Sequence, residues 1–405
     1  MPPNPGWIEL IYGCVKSGKS RTLIDKINSV KNAIDKEKFK KEFLVVKHPL
    51  DDRETKGKIS SFDGGSIDAI ECETPKDLVE CITKYTKFIF LGGVHLFGRD
   101  IVPLLKALVD TNVIIVATGI NLTSKGKPYN YIPQIMTVTD VYDIRAGECF
   151  TPGCGEDAYR SVKVGDHFEP RCMKCYYKTE KKPSLVVVIG PMFSQKTLEL
   201  IAKVKEKERK LKLNPIKNYK DEFMNKDLSA IFKWSKDKRY GLEKIVSHDG
   251  GSIDAIPVDN TSQVKSYLQK NKHIGFVGFD EIQFFKGAYP LINWLLEKGY
   301  SVYAVGLDEN FKGEGFGDVP KILTLADTII SKEAYCTRCQ KQPATKTQRF
   351  VTDTINGIKK PAKYDDPIVL VAGKDSYTSA CRSCHWVPGK PLNKYDNILK
   401  LKKIN

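Results

Sequence analysis

The sequence contains one eight-residue stretch twice. DGGSIDAI runs from Asp63 to Ile70 and returns, letter for letter, from Asp249 to Ile256, 186 residues later in a chain of 405. Chance rarely produces an identical match of this length, so the repeat indicates an internal duplication with units of about 180 residues. We therefore expect one domain to occur twice, with its other elements in the same order in both halves.

Each half begins with an apolar strand that leads into a loop of the phosphate-binding type. In the first half, WIELIYG precedes GCVKSGKS, and Gly13, Gly18, Lys19 and Ser20 complete the pattern G-x-x-x-x-G-K-S before a helical stretch. In such loops the backbone N–H groups surround phosphates, the lysine reaches the outer phosphates and the hydroxyl contacts Mg²⁺. The setting between a strand and a helix makes this a specific signal.

The second half has SLVVVIG followed by GPMFSQKT, which supplies Gly190, Ser194, Lys196 and Thr197. Gln195 stands where the second glycine of the pattern is expected. If that position needs left-handed backbone angles, a side chain there costs about 1 kcal/mol and weakens nucleotide binding.

A second apolar run, HIGFVGF, ends in the adjacent carboxylates Asp280 and Glu281. This pattern predicts a buried parallel strand that delivers both acids to the carboxyl edge of a sheet, where ligands of doubly wound folds bind. The matching stretch of the first half, KFIFLGG, has Gly92 and Gly93 at these two positions. The first half therefore has the better phosphate loop but lacks the acids.

A D-x-R pair also recurs. Asp237 and Arg239 in the second half align without gaps with Asp51 and Arg53 in the first. Such a pair is either a surface ion pair or, beside a phosphate loop, part of a substrate site, and the sequence leaves both open.

Each half closes on two pairs of cysteines. The second half has C-x-x-C twice and the first half has C-x4-C and C-x-x-C, which together give Cys336, Cys339, Cys381, Cys384, Cys149, Cys154, Cys172 and Cys175. Four thiolates in two short pairs match a closed tetrahedral zinc site that stabilises a small lobe. The alternative is buried cysteines without a metal. We expect one structural Zn²⁺ in each unit.

Composition narrows the class of protein. With 41% hydrophobic and 28% charged residues the chain is globular, and we find no apolar run long enough to span a membrane and no signal peptide, so we expect a cytoplasmic protein. The net charge of +16 lies largely in lysine runs without interleaved aromatic residues. That distribution favours a solvated surface over a nucleic-acid interface.

The order of these motifs resembles the thymidine kinase family that carries a zinc-bound lasso lobe. GPMFSQKT is similar to the family's GPMFSGKS/T, DEIQFF to its DEGQFF, LDENFKGEGFG to its LDGTFxxxxFG and KDSYTSACRSC to its DKYHSVCRLC. The resemblance implies an α/β fold in which each unit is a phosphate-loop (RecA-like) parallel sheet with helices on both faces, followed by a small zinc-binding lasso lobe. It also implies two tandem copies.

The implied domains are a degenerate copy at 7–178 with its zinc lobe at 145–178, a catalytic copy at 184–392 with its zinc lobe at 332–390, and a basic tail at 393–405. The implied reaction is transfer of the γ-phosphate of ATP to the 5′-hydroxyl of thymidine, or of deoxyuridine, for pyrimidine salvage and DNA synthesis. ATP, Mg²⁺ and Zn²⁺ are the implied cofactors.

The resemblance also assigns roles to residues. It makes Glu281 the base that accepts the proton of the 5′-hydroxyl, has Asp280 help to hold Mg²⁺, and places Lys196 and Thr197, with Gly190, Ser194 and Gln195 of the same loop, at ATP and the metal. Arg239, with Asp237, would lie near the 5′ end of the nucleoside. The thymine pocket maps onto Met192, Phe284, Leu307, Phe311, Thr347, Val369 and Tyr377.

Three further expectations complete this interpretation. The first unit should be inactive, with cysteine pairs too close together for a comparable lasso. Its phosphate loop is then vestigial, binds nucleotide without turnover or only preserves the fold. Family members assemble as homo-oligomers, so we expect a homodimer that forms a pseudo-tetramer. The alternatives are a catalytically impaired nucleotide-binding regulatory protein and a basic zinc-ribbon protein that binds nucleic acid.

Overall fold

The computed structural model describes residues 6–51, 56–213, 229–237, 243–247, 250–352, 357–369 and 376–404. The chain divides into two compact units. One holds the residues up to Tyr176 together with those from Pro391 onward, and the other holds Tyr177–Lys390. No helix in the described ranges combines the length and the apolar character needed to cross a bilayer.

The first unit is built from eleven strands and the helices between them. Its strands are β1 (Ile8–Gly13), β2 (Phe43–Lys47), β3 (Lys58–Ser60), β4 (Ser66–Asp68), β5 (Ile70–Glu71), β6 (Phe88–Gly92), β7 (Ile114–Gly119), β8 (Val141–Arg145), β9 (Gly147–Glu148), β10 (Asp157–Val164) and β11 (His167–Cys172). Its helices are α1 (Lys19–Ala33), α2 (Lys36–Glu42), α3 (Pro75–Cys81), α4 (Ile101–Asp110), α5 (Ile132–Val138) and α6 (Met173–Tyr177). These counts refer to the described residues.

The second unit repeats this plan. Its strands are β12 (Ser184–Ile189), β13 (Ser229–Trp234), β14 (Lys244–Val246), β15 (Ser252–Asp254), β16 (Ile256–Val258), β17 (Phe276–Phe279), β18 (Ser301–Val305), β19 (Thr328–Ser331), β20 (Ala334–Tyr335), β21 (Pro343–Ala344), β22 (Lys346–Thr352), β23 (Lys359–Pro361) and β24 (Tyr377–Ala380). Its helices are α7 (Lys196–Leu213), α8 (Thr261–Lys270), α9 (Ala288–Glu297) and α10 (Val319–Leu325). The last helix of the chain, α11 (Asp396–Ile404), lies in the part assigned to the first unit.

The two main sheets have the same strand order. Each is six-stranded among the described residues, with the orders β5-β2-β6-β7-β1-β8 and β16-β13-β17-β18-β12-β19, and every pairing within them is parallel. The strands are apolar on both faces, as the burial of every residue of β1 and β17 illustrates. The predicted tandem α/β fold with helix-flanked parallel sheets is confirmed.

In both units the described part of the repeated octapeptide contains the second strand of the same hairpin. β3 pairs with β4, and β14 with β15, each over three residue pairs. Gly64 and Gly250 have φ values of 93° and 86° in the connecting turns. A side chain is strongly disfavoured at such angles, which explains why the turn glycines recur.

The apolar core of each unit lies between the sheet and its helices. In the first unit α1 buries Leu23, Ile24 and Ile27 against residues of the sheet that include Phe90 and Val116. In the second unit α7 buries Leu200 and Ile201 among the corresponding strands. This packing fixes the helix that follows each phosphate loop, so the loop is held between two rigid elements.

The segment after Lys390 packs on the first unit. Helix α11 lies against α4, with Leu399 only 1% exposed. The Asn393 side chain donates to the Pro103 carbonyl at 2.6 Å, and Lys402 Nζ donates to the Glu80 and Ile82 carbonyls at the end of α3. A cation at the carboxyl end of a helix is favourable. The basic residues of this segment thus belong partly to a packed helix.

We predict that Leu399→Ala destabilises the first unit by about 2–4 kcal/mol, because a buried leucine loses its packing and leaves a cavity. Leu401→Ala is the control, since Leu401 is 61% exposed and its loss should cost less than about 0.5 kcal/mol. Hydrogen exchange followed by mass spectrometry reads α4 separately from the second unit. Equal protection of α4 in both variants would contradict the prediction.

Candidate active site

A pocket at the carboxyl edge of the second sheet collects nearly all the predicted site residues. The described residues that line it include Met192, Ser194, Gln195, Lys196, Thr197, Asp237, Asp280, Glu281, Phe284, Leu307, Phe311, Thr347, Val369 and Tyr377. Gly190 begins the same loop, directly after β12. Arg239 lies outside the described residues. Positions scattered over 186 residues of sequence thus share one cavity.

The phosphate loop connects β12 to the first turn of α7. Lys196 is buried, and its Nζ donates to the Pro191 carbonyl at 2.6 Å and to Ser194 Oγ at 3.3 Å. Gly190 cannot carry a side chain, because a Cβ would lie 2.2 Å from the Lys332 carbonyl oxygen. The loop therefore passes close to the end of β19, the strand beside β12 in the sheet. It also holds the Lys196 cation beside the amino end of α7, an arrangement that suits the binding of anions.

Two residues of this loop have left-handed backbone angles. Gln195 has a φ of 59° and Phe193 one of 67°. In the first unit Gly18 has a φ of 76° and Lys16 one of 56° at the matching positions. The two loops thus share one backbone conformation, and Gln195 adopts an angle at which glycine would be less strained.

The two carboxylates follow β17. Asp280 is buried, and its Oδ1 accepts a hydrogen bond from Thr197 Oγ1 at 3.2 Å. This bond joins the phosphate loop to the acidic strand end. Glu281 is half-buried and has a φ of 52°. A non-glycine residue in the left-handed region is strained, and such residues cluster at functional sites.

Aromatic and aliphatic side chains form the remaining wall of the pocket. The Phe284 ring stacks on Trp234 with 4.8 Å between centroids and meets Phe316 edge to face at 5.5 Å. The Met192 amide donates to Thr347 Oγ1 at 3.1 Å, which anchors the phosphate loop to β22. The Thr347 hydroxyl therefore lies at the pocket, where the family resemblance places this residue.

A second pair of acids, Asp308 and Glu309, follows β18 at the same edge. Glu309 is buried and forms an ion pair with Lys346 at 2.6 Å. Loss of solvent around Asp308, together with the neighbouring Glu309 carboxylate, raises the pKa of Asp308 to about 6. This ion pair connects the loop after β18 to the strand that carries Thr347.

Sequence reasoning missed three contributors to this site. Trp234 ends a strand beside the acidic one, and an aromatic residue at such a strand end was the available signal. The Glu309–Lys346 pair spans 37 residues and leaves no local pattern. Gln283 lies in the stretch DEIQFF, yet its position two residues after Glu281 gave no hint that its side chain returns to that carboxylate.

The first unit has the same frame with different side chains. Lys19 Nζ donates to the Cys14 carbonyl and, at 3.1 Å, to Ser17 Oγ, and the Val15 amide donates to Ser161 Oγ at 3.1 Å, as Met192 does to Thr347. Gly93 has a φ of 69° where Glu281 stands in the second unit. The turn is kept, but the carboxylate is missing.

Two clusters of four cysteines occur among the described residues. Cys149, Cys154, Cys172 and Cys175 form one, Cys336, Cys339, Cys381 and Cys384 the other, and within each cluster the sulfur atoms all lie within 4.8 Å of one another. The Sγ atoms of Cys154 and Cys172 are 3.7 Å apart and those of Cys339 and Cys381 are 3.8 Å apart. Four sulfurs at about 2.3 Å from a tetrahedral zinc ion would be separated by about 3.8 Å.

Hydrogen bonds favour the thiolate of Cys336 in one cluster and of Cys149 in the other, whereas burial raises the pKa of Cys381 and Cys172 in the same clusters. Burial opposes ionisation of Cys336, but hydrogen bonds from the backbone of Cys339 and Cys381 outweigh it and lower the pKa of that thiol to about 6. Burial likewise opposes ionisation of Cys149, and hydrogen bonds from the Cys172 backbone and Thr151 lower its pKa to about 6. Both clusters could hold structural zinc.

Comparison with known families agrees with this geometry. A family model described as thymidine kinase matches residues 6–178 and again residues 183–385. The chain belongs to the thymidine kinase family. The two matches cover most of the sequence and correspond to its two copies, so the predicted family resemblance is confirmed and a thymidine-kinase-like function is supported.

We predict two zinc ions per chain, measured by inductively coupled plasma mass spectrometry. Cys384→Ser and Cys175→Ser should each reduce the content to about one, because three thiolates hold structural zinc far less tightly than four. Cys81→Ser is the matched control, since Cys81 lies outside both clusters and contacts Cys72. A wild-type content near zero would contradict the assignment.

We also predict that Gln195→Gly raises the free energy of unfolding of the second unit by about 0.5–1 kcal/mol, because glycine relieves the left-handed strain. The reverse change, Gly18→Gln, should destabilise the first unit by about 1 kcal/mol. A Cβ at Gly18 would meet nothing within 4 Å, so that cost arises from the backbone angle alone. Urea unfolding with peptide-resolved hydrogen exchange measures both changes. The prediction fails if Gln195→Gly does not increase the protection of α7 and Gly18→Gln does not decrease the protection of α1.

Proposed function

We propose that the second unit of this family member is a thymidine kinase, which transfers the γ-phosphate of ATP to the 5′-hydroxyl of thymidine to give dTMP in pyrimidine salvage. Deoxyuridine is a second candidate substrate. The observation that carries the proposal is that one pocket combines a phosphate loop, the Glu281 carboxylate and an aromatic wall.

The phosphate loop would bind the triphosphate of ATP. Lys196 and the backbone N–H groups at the start of α7 supply positive charge, and Gly190 lets the loop pass close to the Lys332 carbonyl just after β19. The Thr197 hydroxyl and the Asp280 carboxylate are hard oxygen donors 3.2 Å apart and fit a magnesium site. Magnesium bound there would neutralise charge that develops on the phosphates.

Glu281 would act as the base. As the 5′-oxygen forms a bond to the γ-phosphorus, the bond between that phosphorus and the bridging oxygen of ADP breaks. The proton of the 5′-hydroxyl passes to the Glu281 carboxylate. Asp237 lines the same pocket, and with Arg239 it would bind the 5′ end of the nucleoside.

The aromatic wall would hold the base. Planar nucleobases stack on aromatic faces, and Phe284, Phe311 and Tyr377 offer such faces beside Met192 and Leu307. Val369 belongs to the segment after β23 that lines the pocket and would cover the base as a lasso. We assign Thr347 to the same wall.

The first unit would not catalyse this reaction, because Gly92 and Gly93 replace both acids. Its phosphate loop is either vestigial or binds nucleotide without turnover. The expected homodimer that forms a pseudo-tetramer stays a prediction of the family resemblance, and the cytoplasmic location stays a prediction from the composition of the sequence. No disulfide joins the eleven cysteines, and eight of them form the two clusters.

The two alternatives are less well supported. A purely regulatory protein would not need Asp280, Glu281 and Lys196 to meet in one cavity, as they do here. A nucleic-acid-binding protein would be expected to interleave aromatic residues with its basic ones on one surface. We therefore keep the kinase as the proposed function.

The test is phosphate transfer from Mg-ATP to thymidine by the full chain. We predict that Glu281→Gln and Lys196→Ala each lower kcat/KM by at least about 100-fold, because each removes a group that acts on the transferred phosphate or the attacking hydroxyl. Lys19→Ala, the matching change in the first unit, should leave kcat/KM within about twofold if that loop takes no part in turnover.

Two results would contradict the proposal. Lack of turnover by the folded, zinc-replete protein would favour the alternative of a regulatory protein without kinase activity. Loss of activity in Lys19→Ala but not in Lys196→Ala would show that the first unit, and not the second, carries out the reaction.

A further inference from the structure

The side chain of Gln283 connects two functional parts of the pocket. Its Oε1 accepts a hydrogen bond from the Leu307 amide at 3.0 Å, and its Nε2 donates to Glu281 Oε2 at 2.6 Å. Gln283 is only 4% exposed. A buried amide with both ends engaged is held in one place by its partners.

The orientation of this amide is determined by its surroundings. The Leu307 backbone nitrogen can only donate, so the group that faces it must be the Gln283 carbonyl oxygen. The NH₂ group must then face Glu281, where it meets a carboxylate that accepts. A flipped amide would set a donor against a donor at Leu307 and an acceptor against an acceptor at Glu281.

Two glycines make room for Gln283. A Cβ on Gly306 would lie 2.3 Å from Gln283 Oε1, and a Cβ on Gly317 would lie 2.6 Å from the Gln283 carbonyl oxygen. Gly317 also has a φ of 57°, which disfavours any side chain there. The backbone around Gln283 is thus built so closely that its side chain has little freedom to move.

Glu281 carries the carboxylate to which Gln283 donates. It is half-buried, belongs to a strained left-handed turn and carries a flexible side chain with several rotamers. A short hydrogen bond to an ionised oxygen is strong and directional, so a fixed donor limits the directions in which the carboxylate can point. Correct orientation of a reacting group contributes substantially to catalysis.

We propose that Gln283 is a positioning residue that holds the Glu281 carboxylate in the orientation needed to accept the proton of the attacking hydroxyl. This inference rests on the proposed function of the second unit. It also links base recognition to chemistry, because Leu307, the other partner of Gln283, lines the apolar part of the pocket.

The first unit agrees with this assignment. At the positions of Glu281 and Gln283 it has Gly93 and His95, so the carboxylate and the amide are both absent. Gly119 stands at the place of Gly306, where a Cβ would meet Ile132 at 3.0 Å rather than a polar atom. Both units thus have a glycine at this position, but only the second unit has the hydrogen-bonded pair of Glu281 and Gln283.

Two variants separate positioning from simple support. Gln283→Glu keeps an oxygen that can accept from Leu307 but puts a second carboxylate against Glu281, whereas Gln283→Met fills the space and makes neither hydrogen bond. If Gln283 positions Glu281, both variants should lower kcat by about 10- to 100-fold, with KM for thymidine within about twofold of wild type. Thymidine binding by calorimetry and zinc content serve as controls for folding.

A double variant provides the second measurement. Because Gln283 acts through Glu281, adding Gln283→Met to Glu281→Gln should lower kcat by less than twofold beyond Glu281→Gln alone, roughly the limit expected for residues that act as one unit. A structural role would instead give effects that multiply.

The outcomes are distinct. Wild-type kcat in Gln283→Glu would overturn the inference and leave Gln283 as support for the turn at Leu307. A change in KM alone would place Gln283 in nucleoside binding and would also overturn it. No transfer by the unmodified protein would refute the proposed function, and the inference would fall with it.

Discussion

The parallel pairing of β18 with both β12 and β17 is the constraint on which the pocket depends. Because β18 lies between them, the phosphate loop and the acidic strand end emerge on the same edge, about 10 Å apart in the sheet direction. That separation is short enough for side chains to bridge. Thr197 reaches Asp280 across it, and the turn after β18 supplies Leu307, to which Gln283 is bonded. A different strand order would leave the same residues far apart.

The duplication shows the same backbone with two sets of side chains. Left-handed angles recur at Gly18 and Gln195 and at Gly93 and Glu281. In the first unit both of these positions are glycine, which adopts such angles without strain. In the second unit both carry side chains, each at a cost of about 1 kcal/mol. At Glu281 the strain places a carboxylate in the pocket and is typical of functional sites. The side chain of Gln195 is exposed and has no comparable role to offset the strain. Nothing in the structure explains why this position is not glycine.

The sequence predicted those features that local patterns encode. Apolar strands that end in glycine-rich or acidic turns gave the sheets, and paired cysteines gave the two clusters. The pocket residues followed because the family motifs carry them in order. Features that depend on distant partners were not predictable in this way. Helix α11 belongs to the first unit because Asn393 and Leu399 find partners about 290 residues earlier, and the lysines of this segment suggested only a basic tail. Gln283 was overlooked because its importance lies in the orientation of an amide, which no spacing reveals.

The lobes differ in a way that is independent of the acids. In the first unit β10 and β11 form a continuous hairpin that turns at Gly165 and Asp166, where Lys163 pairs with Phe168. In the second unit Arg349 pairs with Tyr377 at the corresponding point of the ladder, and the chain between them is long enough to form β23 and to bring Ile368 and Val369 to the pocket.

Under the proposed function, the first unit thus lacks the segment that would cover a base, the carboxylate that would accept the proton and the carboxylate that would help to hold magnesium. Replacing Gly92 and Gly93 by acids would supply the carboxylates but not the covering segment. Under the proposed function, the lobe's length and the strand-end acids therefore make separate contributions, and the reaction would need both on the frame that the two units share.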